Sequence, residues 1–298
     1  MSLRSFLAAV TVAVLVLLGV LVWFLPSDED FRVENPSWNG VSWLAGSGFT
    51  MVESLRELPG PAAGSTLVVV PYADFTPADV SRLEDYVRRG GRLVLADDFG
   101  FGNSLLEAMG IAARFSGVPL LDPLFSYRNP SLPRVTRFAA DPLTDGLEEL
   151  VLNHPTGIVG ADGLVLATSS SFSFLDEDGD GGPDAGEPAG PVPVVVRQGL
   201  GSGEVLLVSD PSLFINSMTG LGDNRRFIEN LGGVGGGGLF FDQSHLPDSE
   251  LHRAKNSLED IRGALMTPPG VVLLMVAIVA AGVVIAWYRK GGNIGKPA

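Results

Sequence analysis

The segment LDEDGDGGPDAGE, from Leu175 to Glu187, combines the residue types and the spacing of a cation-binding loop. Carboxylates on alternate positions can converge on one hard cation, and a glycine at the sixth position permits the sharp turn that this convergence needs. The segment fits the pattern D-x-[DN]-x-[DN]-G-x5-E in full. The predicted ligands are Asp176, Asp178, Asp180, the carbonyl group of Gly182, Asp184 and Glu187. The spacing therefore predicts a bound Ca²⁺ ion, with the glutamate as a bidentate ligand.

An acidic, glycine-rich tip that is simply solvated is the alternative interpretation of this segment. Its flanks do not predict the two helices of an EF-hand, because SSSFSF precedes the loop and PAGP follows it. We favour the ion because the register is complete and because five carboxylates this close together repel one another without a cation. Calcium loops of external modules bind at about 10⁻⁴–10⁻³ M, so we expect the ion to have a structural role.

A second group of polar residues follows the predicted strands. Asp98 and Asp210 come just after strands, and Asn216 and Asn224 lie further along the chain. The carboxyl ends of strands in an α/β sheet gather ligands at one edge, so these four residues form a possible ligand site. Asp and Asn also cap helices and complete turns, and we favour this structural role.

The sequence offers little support for catalysis. It contains no cysteine, which excludes thiol catalysis, thiolate metal sites and disulfides. We find no G-x-S-x-G elbow, no Rossmann glycine motif after a strand and no Walker loop. The three histidines, at positions 154, 245 and 252, do not suggest a zinc site because no third ligand is in view. We therefore lean towards a protein without enzymatic activity.

An alternation of strands and helices positions the candidate residues. Apolar runs rich in β-branched residues predict buried strands at 66–70 and 92–96, and the segment between them has helical periodicity. Thr76 and Pro77 are typical of the cap and the first turn of that helix. Strand, helix and strand at this spacing predict a parallel sheet with right-handed crossovers. Further strands are predicted at 164–168, 192–197, 204–209 and 239–241, and a helix at 213–230.

Two long apolar runs lie near the ends of the chain. Residues 5–25 and 267–288 carry no charge, and each run is long enough to cross a hydrocarbon core of roughly 30 Å. The first run exceeds the apolar region of a signal peptide, and WFLP at its end offers no small-x-small cleavage site, so a retained anchor is favoured. Trp23 and Trp287 lie near the run ends, as interfacial aromatic residues do.

Basic residues outside the two runs predict the topology. Arg4 precedes the first run, and Arg289, Lys290 and Lys296 follow the second, which places both termini in the cytoplasm. The segment 26–268 would then lie outside the cell membrane. The predicted organisation is an N-terminal transmembrane anchor at 1–25, an external α/β domain at 26–241, an amphipathic linker at 242–268, a C-terminal transmembrane helix at 269–288 and a cytoplasmic tail at 289–298.

The segment between the apolar runs is strongly acidic. It holds all 34 Asp and Glu residues and 16 of the 20 Lys and Arg residues, which gives it a net charge of −18. Such a charge repels nucleic acid and anionic lipid headgroups, and so argues against both as ligands. The expected partners are the bilayer, through two spans, and other membrane or envelope proteins.

Several segments resemble an uncharacterised prokaryotic family of membrane-anchored proteins. They are NPSWNG from Asn35, TLVVVP from Thr66, LEDYVRRGGRLVLA from Leu83 and GEVLLVSDPSLFIN from Gly203. The resemblance covers roughly residues 35–232 and implies a flavodoxin-like, class I glutamine amidotransferase-like fold with a mostly parallel sheet. Related domains occur in auxiliary subunits of gliding-motility and ABC-type transport systems. Amidotransferases use a nucleophilic cysteine, which this chain lacks, so the resemblance does not imply that activity.

Three functions follow from these observations. The favoured one is a non-catalytic, membrane-anchored external module for binding or assembly, with a loop that calcium stiffens. The first alternative is an auxiliary subunit of a transport or envelope complex, although neither apolar run has a small-residue GxxxG pattern that argues strongly for helix association. The second is an envelope hydrolase that uses an Asp-rich site at Asp98 and Asp210.

Overall fold

A computed structural model of the chain describes residues 3–58, 63–72, 74–233, 236–247 and 249–291. The chain divides into two compact units. One comprises Pro26–Pro247 and holds all strands of the described part, whereas the other combines the residues up to Leu25 with those from Asp248 onward. The predicted cytoplasmic tail beyond residue 291 lies outside the described residues.

The larger unit contains the strands and three of the helices. The strands are β1 (Phe49–Val52), β2 (Thr66–Val69), β3 (Arg92–Ala96), β4 (Arg114–Leu121), β5 (Arg134–Val135), β6 (Arg137–Phe138), β7 (Leu150–Val151), β8 (Thr156–Val159), β9 (Leu164–Thr168), β10 (Phe174–Leu175), β11 (Pro193–Leu200), β12 (Gly203–Val208) and β13 (Leu239–Asp242). The smaller unit is helical. The helices are α1 (Leu3–Phe24), α2 (Pro77–Arg88), α3 (Asn103–Ala108), α4 (Asn224–Gly233), α5 (Glu250–Met266) and α6 (Pro268–Gly291), with 3₁₀ helices at Ser42–Gly46 and Pro211–Phe214.

Eight strands form one mixed sheet in the order β1-β13-β2-β3-β12-β11-β9-β6. The first five strands are mutually parallel, and the last three continue the sheet in antiparallel fashion. The change of direction occurs where a tight turn joins β12 back to β11, because a connection this short allows only antiparallel pairing. The observed architecture confirms the predicted α/β class with a large, mostly parallel sheet.

Both faces of the sheet are covered, which explains the unbroken apolar strands. Leu67, Leu93 and Leu207 belong to one core cluster, whereas their chain neighbours Val68 and Val94 belong to a second one. Side chains alternate between the two faces of a strand, so a strand that is buried on both sides must be apolar at every position. Each fully buried Leu or Val contributes about 1.5–3 kcal/mol to the free energy of unfolding.

Helix α2 begins and ends where the sequence predicts. The Thr76 hydroxyl accepts a hydrogen bond from the backbone N–H of Asp79, and Pro77 occupies the first turn. Leu83 and Val87 are fully buried against the sheet, and the helix ends before Gly90, whose φ of 103° suits glycine. The cap, the proline and the apolar spacing agree, so the sequence alone specifies this helix.

Two predicted segments differ from the structure. The helix predicted at 213–230 is divided into the 3₁₀ helix Pro211–Phe214 and helix α4, because Gly222 between them has a φ of 47° that an α-helix cannot include. The larger unit also continues to Pro247, beyond the predicted domain end at 241. Gln243 donates a hydrogen bond to the Phe31 carbonyl at 3.1 Å, and Leu246 is buried, which ties this stretch to the domain.

The helical unit contains one helix, within the described residues, that is long and apolar enough by itself to cross a membrane. The apolar stretch Phe6–Phe24 of α1 meets that description, as an anchor or as a signal sequence. Helices α5 and α6 meet it only when they are taken as one pair, and they are bent by 88° at Thr267. The described residues therefore do not establish the predicted second span.

Candidate functional site

The predicted cation-binding loop lies at the tip of a short hairpin. Strand β10 pairs with β4, and the residue after it, Asp176, donates its backbone N–H to the Pro119 carbonyl at 2.9 Å. On the other side of the loop, the Pro188 carbonyl accepts a hydrogen bond from Leu175 at 3.0 Å. The two ends of the loop are thus fixed to each other and to the domain, which limits the conformations that the carboxylates between them can adopt.

The structure brings the five predicted carboxylates together. Ligand atoms of Asp176, Asp178 and Glu187 lie within 4.8 Å of one another, and so do those of Asp178, Asp180 and Asp184. The two groups share Asp178. A Ca²⁺ ion takes six to eight oxygen ligands, and clustered carboxylates with backbone carbonyls are the donor set that it prefers. The residues present therefore fit a calcium ion.

Hydrogen bonds inside the loop shape it around this cluster. Backbone N–H groups of Gly179 and Gly181 donate to Asp176, and the N–H of Gly182 donates to Asp180 at 2.7 Å. Glu187 accepts from the N–H groups of two residues, 177 and 184, one on each carboxylate oxygen. Gly179, Gly181 and Gly186 have positive φ angles.

The carboxylates of the cluster repel one another. Repulsion from Asp180 and Asp178, followed by weaker contributions from desolvation and from Glu187, raises the pKa of Asp184. No basic side chain is paired with these carboxylates among the described residues. A bound cation would remove this repulsion, so the charge distribution favours cation binding.

A second candidate site is a cavity of about 200 Å³ at the carboxyl edge of the parallel strands. Residues that follow β2 and β3 line it, together with residues of the segment before β1 and of the 3₁₀ helix after β12. Its lining combines acidic, aromatic and neutral polar side chains, including Asp30, Phe31, Trp38, Asn39, Tyr72, Asp97, Asp98, Phe99, Asn153 and Ser212. A cavity at this edge is the usual ligand position in an α/β fold.

Asp98, a predicted site residue, lines this cavity. Burial, with a smaller contribution from the neighbouring charge of Asp97, raises the pKa of Asp98 to about 7. Asp98 has no side-chain hydrogen bond or ion pair with another described residue. The fold therefore leaves the carboxylate of Asp98 without a hydrogen-bond donor from another described residue.

Asp97 and Asp210 serve the local backbone. Asp97 accepts hydrogen bonds from the N–H groups of Phe99, Gly100 and Gly102, which fixes the turn before α3. Asp210 caps the following 3₁₀ helix by accepting from Ser212 at 2.8 Å, and its other oxygen accepts from the N–H of Asn153 at 2.7 Å.

Burial raises the pKa of Asp210 to about 8, although its backbone donors lower the pKa and the charge of Asp98 raises it further. Asp98 lies near enough to Asp210 for its charge to contribute to this shift, although Asp210 itself is fully buried.

Asp210 is fully buried and does not line the cavity, and neither do Asn216 and Asn224, the other two predicted edge residues. The amide group of Asn216 donates to the carbonyl groups of Asn35 and Ser37 and so fastens the segment before β1. The fully buried Asn224 accepts from the N–H of Val151 and donates to its carbonyl, which completes the backbone hydrogen bonding at β7. Both side chains are thus engaged by backbone groups of distant segments.

One further polar cluster, which the sequence does not predict, lies at the same edge. Asp242 ends β13, and its carboxylate lies 2.5 Å from Nδ1 of His245, whose ring packs against Phe75 with 4.7 Å between centroids. Burial lowers the pKa of His245, but the hydrogen bond and the charge of Asp242, together with Asp79, raise it above its usual value overall. This cluster joins the start of α2 to β13.

The missed residues come from three parts of the chain. Asp30 and Trp38 lie in the irregular segment before β1, Tyr72 follows the predicted strand β2, and His245 follows β13. The sequence does not show that β13 lies beside β2, and this strand order brings Asp242 and His245 to the edge. The usable signal was that polar residues follow each predicted strand, and it applies to Asp242 as well.

The fold and its sites define a mixed α/β domain that carries an acidic loop and a small acidic cavity at the carboxyl edge of its sheet. Residues 33–231 match a family described as a domain of unknown function, DUF4350. The chain therefore belongs to the DUF4350 family. The match coincides with the stretch over which the sequence resembles an uncharacterised family.

Solved structures show distant likeness to the chain. The mmIFT52 N-terminal domain is 14% identical with a TM-score of 0.47, and the match covers 63% of this chain and 85% of that domain. The β-galactosidase from Bacillus circulans sp. alkalophilus is 16% identical with a TM-score of 0.38, over 57% of this chain and 23% of the galactosidase. A cytoplasmic protein from Salmonella typhimurium is 13% identical with a TM-score of 0.33, and the match covers 62% of this chain and 76% of that protein. A search of curated proteins finds no match to the chain.

Proposed function

We propose that this protein is a membrane-anchored external binding module whose loop at 176–187 holds a structural calcium ion. The convergence of five carboxylates at the tip of an anchored hairpin carries the proposal. In this role Asp176, Asp178, Asp180, Asp184 and Glu187 supply carboxylate oxygens and Gly182 supplies its carbonyl group. The ion stiffens the loop and takes no part in a reaction.

Calcium binding is tested on the full chain in detergent micelles. Titration calorimetry should give saturable binding with a Kd of about 10⁻⁴–10⁻³ M. At 10 mM calcium, a Kd in this range stabilises the fold by about 1.4–2.7 kcal/mol, which raises Tm by roughly 3–10 °C for a domain of this size. The variant Asp178→Asn, Asp180→Asn should lose both effects, because asparagine keeps the loop hydrogen bonds but removes two charges from the ligand set.

The matched control is Glu34→Gln, Asp162→Asn, which makes the same change of charge at two exposed acidic residues outside the loop. We expect this control to bind calcium as the parent does. Equal heats in the loop variant and the parent, or no heat in either, would show that the loop is a solvated tip.

The membrane assignment is part of the same proposal. The apolar α1, the apolar composition of α6 and the basic residues beside both support a two-span protein with cytoplasmic termini and an external domain. The sequence resembles a family with a class I glutamine amidotransferase-like fold, and related domains occur in auxiliary subunits of gliding-motility and ABC-type transport systems. This resemblance supports a role beside a transport or motility complex in the envelope. Co-purification of a multi-span membrane partner in mild detergent would favour such an auxiliary subunit.

A hydrolase remains a second candidate because of one observation. Asp98 lines the cavity at the carboxyl edge of the sheet, and burial raises its pKa to about 7, so its carboxyl group can hold a proton near neutral pH as a general acid must. Turnover of a chromogenic glycoside or ester by the parent, abolished by Asp98→Asn, would establish this function. Absence of that turnover would leave the binding module as the better account.

A further inference from the structure

The cavity at the carboxyl edge has an unusual lining. Its walls combine the carboxyl groups of Asp30 and Asp98 with four aromatic residues, Phe31, Trp38, Tyr72 and Phe99, and none of its described lining residues is basic. A small site that is both acidic and aromatic repels anions and gives hydrophobic contact to whatever enters.

The carboxyl groups in the cavity are not equivalent. Asp97 is occupied by three backbone N–H groups, and Asp30 accepts hydrogen bonds from the amide of Asn39 and, at 3.4 Å, from the hydroxyl of Tyr72. Asp98 makes no side-chain hydrogen bond to another described residue. Its charge therefore lacks a counterpart within the described fold, in a place where water is partly excluded.

The aromatic rings supply the second half of the site. Trp38 and Phe99 are 66% and 70% exposed, so their rings are open to a ligand that arrives from solvent. The other two rings, those of Phe31 and Tyr72, pack against each other with 6.0 Å between their centroids. Ring faces attract cations through the quadrupole of the π system, and this attraction is strongest where water is displaced.

We propose that this cavity binds a small organic cation of the ammonium class, with the positive charge beside the carboxylate of Asp98 and the alkyl groups against Trp38, Tyr72 and Phe99. The inference deepens the proposed binding role by naming a ligand class, and it rests on that role. It does not depend on calcium, because the loop at 176–187 is a different site.

Other ligand classes fit less well. A metal ion would need several oxygen ligands that converge on one point, whereas the walls around Asp98 are largely aromatic and apolar. A phosphorylated ligand would be repelled by the carboxyl groups of Asp30 and Asp98. The volume of about 200 Å³ is below the roughly 300–1,000 Å³ of pockets for drug-sized ligands, so the ligand is small.

The test uses choline as the probe and its uncharged isostere 3,3-dimethyl-1-butanol as the matched control ligand. Titration calorimetry of the full chain in a maltoside detergent at pH 8 should give saturable heat with choline and at least tenfold weaker binding, or none, with the isostere. Phosphocholine should also bind at least tenfold more weakly, which separates a free ammonium compound from a lipid headgroup. Binding of phosphocholine as tightly as choline would instead assign the site to headgroups.

Two variants locate the site. Asp98→Asn removes the charge at constant shape, and Trp38→Ala removes an exposed ring; each should weaken choline binding at least tenfold and leave the calcium titration unchanged. Asp162→Asn, the same change at an exposed acid outside the cavity, should bind choline as the parent does. The proposal would be overturned if choline and its isostere bound equally well. It would also be overturned if Asp98→Asn, with a cooperative thermal transition, bound choline as tightly as the parent. The calcium titration tests the proposed function separately.

Discussion

Individual acidic residues in this protein differ because of what surrounds them. Asp97, Asp98 and Asp210 all lie at the ends of neighbouring strands, yet Asp97 and Asp210 accept hydrogen bonds from backbone N–H groups of other residues, whereas Asp98 accepts one only from its own. The free one, Asp98, has a pKa of about 7, against 3.8 for an unperturbed aspartate. Its ionised form is therefore disfavoured in the folded state, and a cation placed beside it would favour ionisation.

Replacement of Asp98 by asparagine should stabilise the protein in a pH-dependent way. Because the folded-state pKa is raised, the folded protein binds the proton more tightly than the unfolded chain, and stability falls as pH rises from about 4 to about 7. Asp98→Asn removes this loss, so its free energy of unfolding at pH 8 should exceed that of the parent by at most about 4 kcal/mol.

The measurement is urea denaturation at pH 5 and pH 8, with Asp162→Asn as the control. We expect the stabilisation by Asp98→Asn to be clearly larger at pH 8. The same difference at both pH values would mean that the carboxyl group of Asp98 is solvated in the folded protein.

At the scale of elements, the close approach of α2 to the sheet depends on glycine. A Cβ atom added to Gly203, at the start of β12, would lie 2.2 Å from the carbonyl oxygens of Val87 and Gly91. A Cβ on Gly91 would lie 2.5 Å from the ring of Tyr86. The backbone oxygens near Gly203 cannot move aside as a side chain can, so this position requires glycine. At Gly91, the buried ring of Tyr86 would have to move to make room for a Cβ atom.

Gly203→Ala should therefore destabilise the domain by about 1–3 kcal/mol, as overpacking does. Gly199→Ala in the adjacent strand β11 is the matched control, because a Cβ there has no neighbour within 4 Å. Thermal denaturation of both variants in calcium-containing buffer measures the difference. A Tm for Gly203→Ala equal to that of the control would show that α2 can shift away from the sheet at little cost.

At the scale of the whole molecule, the membrane topology determines on which side of the membrane the two candidate sites lie. The absence of cysteine makes it directly measurable, because a single introduced cysteine is the sole target of a maleimide reagent. With both termini in the cytoplasm, Asp162→Cys should react with a membrane-impermeant maleimide in intact cells. Asn293→Cys, in the predicted tail, should react only after lysis. Labelling of Asn293→Cys in intact cells would contradict a second span, and protection of Asp162→Cys would contradict an external domain.

The sequence by itself determined the features that depend on neighbours along the chain. The start of α2 at Thr76 and Pro77, the buried strands β2 and β3, the apolar α1 and the calcium-type register at 176–187 follow from capping, periodicity and spacing within a few residues. Such local interactions are present before the chain folds, so a pattern can report them.

Only the tertiary structure decided which distant segments meet. Strand β13 lies between β1 and β2, although about 170 residues separate it from β2 along the chain. That pairing brings Asp242 and His245 to the ligand edge, and packing of the N-terminal segment brings Asp30 and Trp38 to the cavity. Likewise, tertiary packing places backbone groups that are distant in sequence within hydrogen-bonding distance of Asn216 and Asn224. It places no such group beside the carboxylate of Asp98 among the described residues.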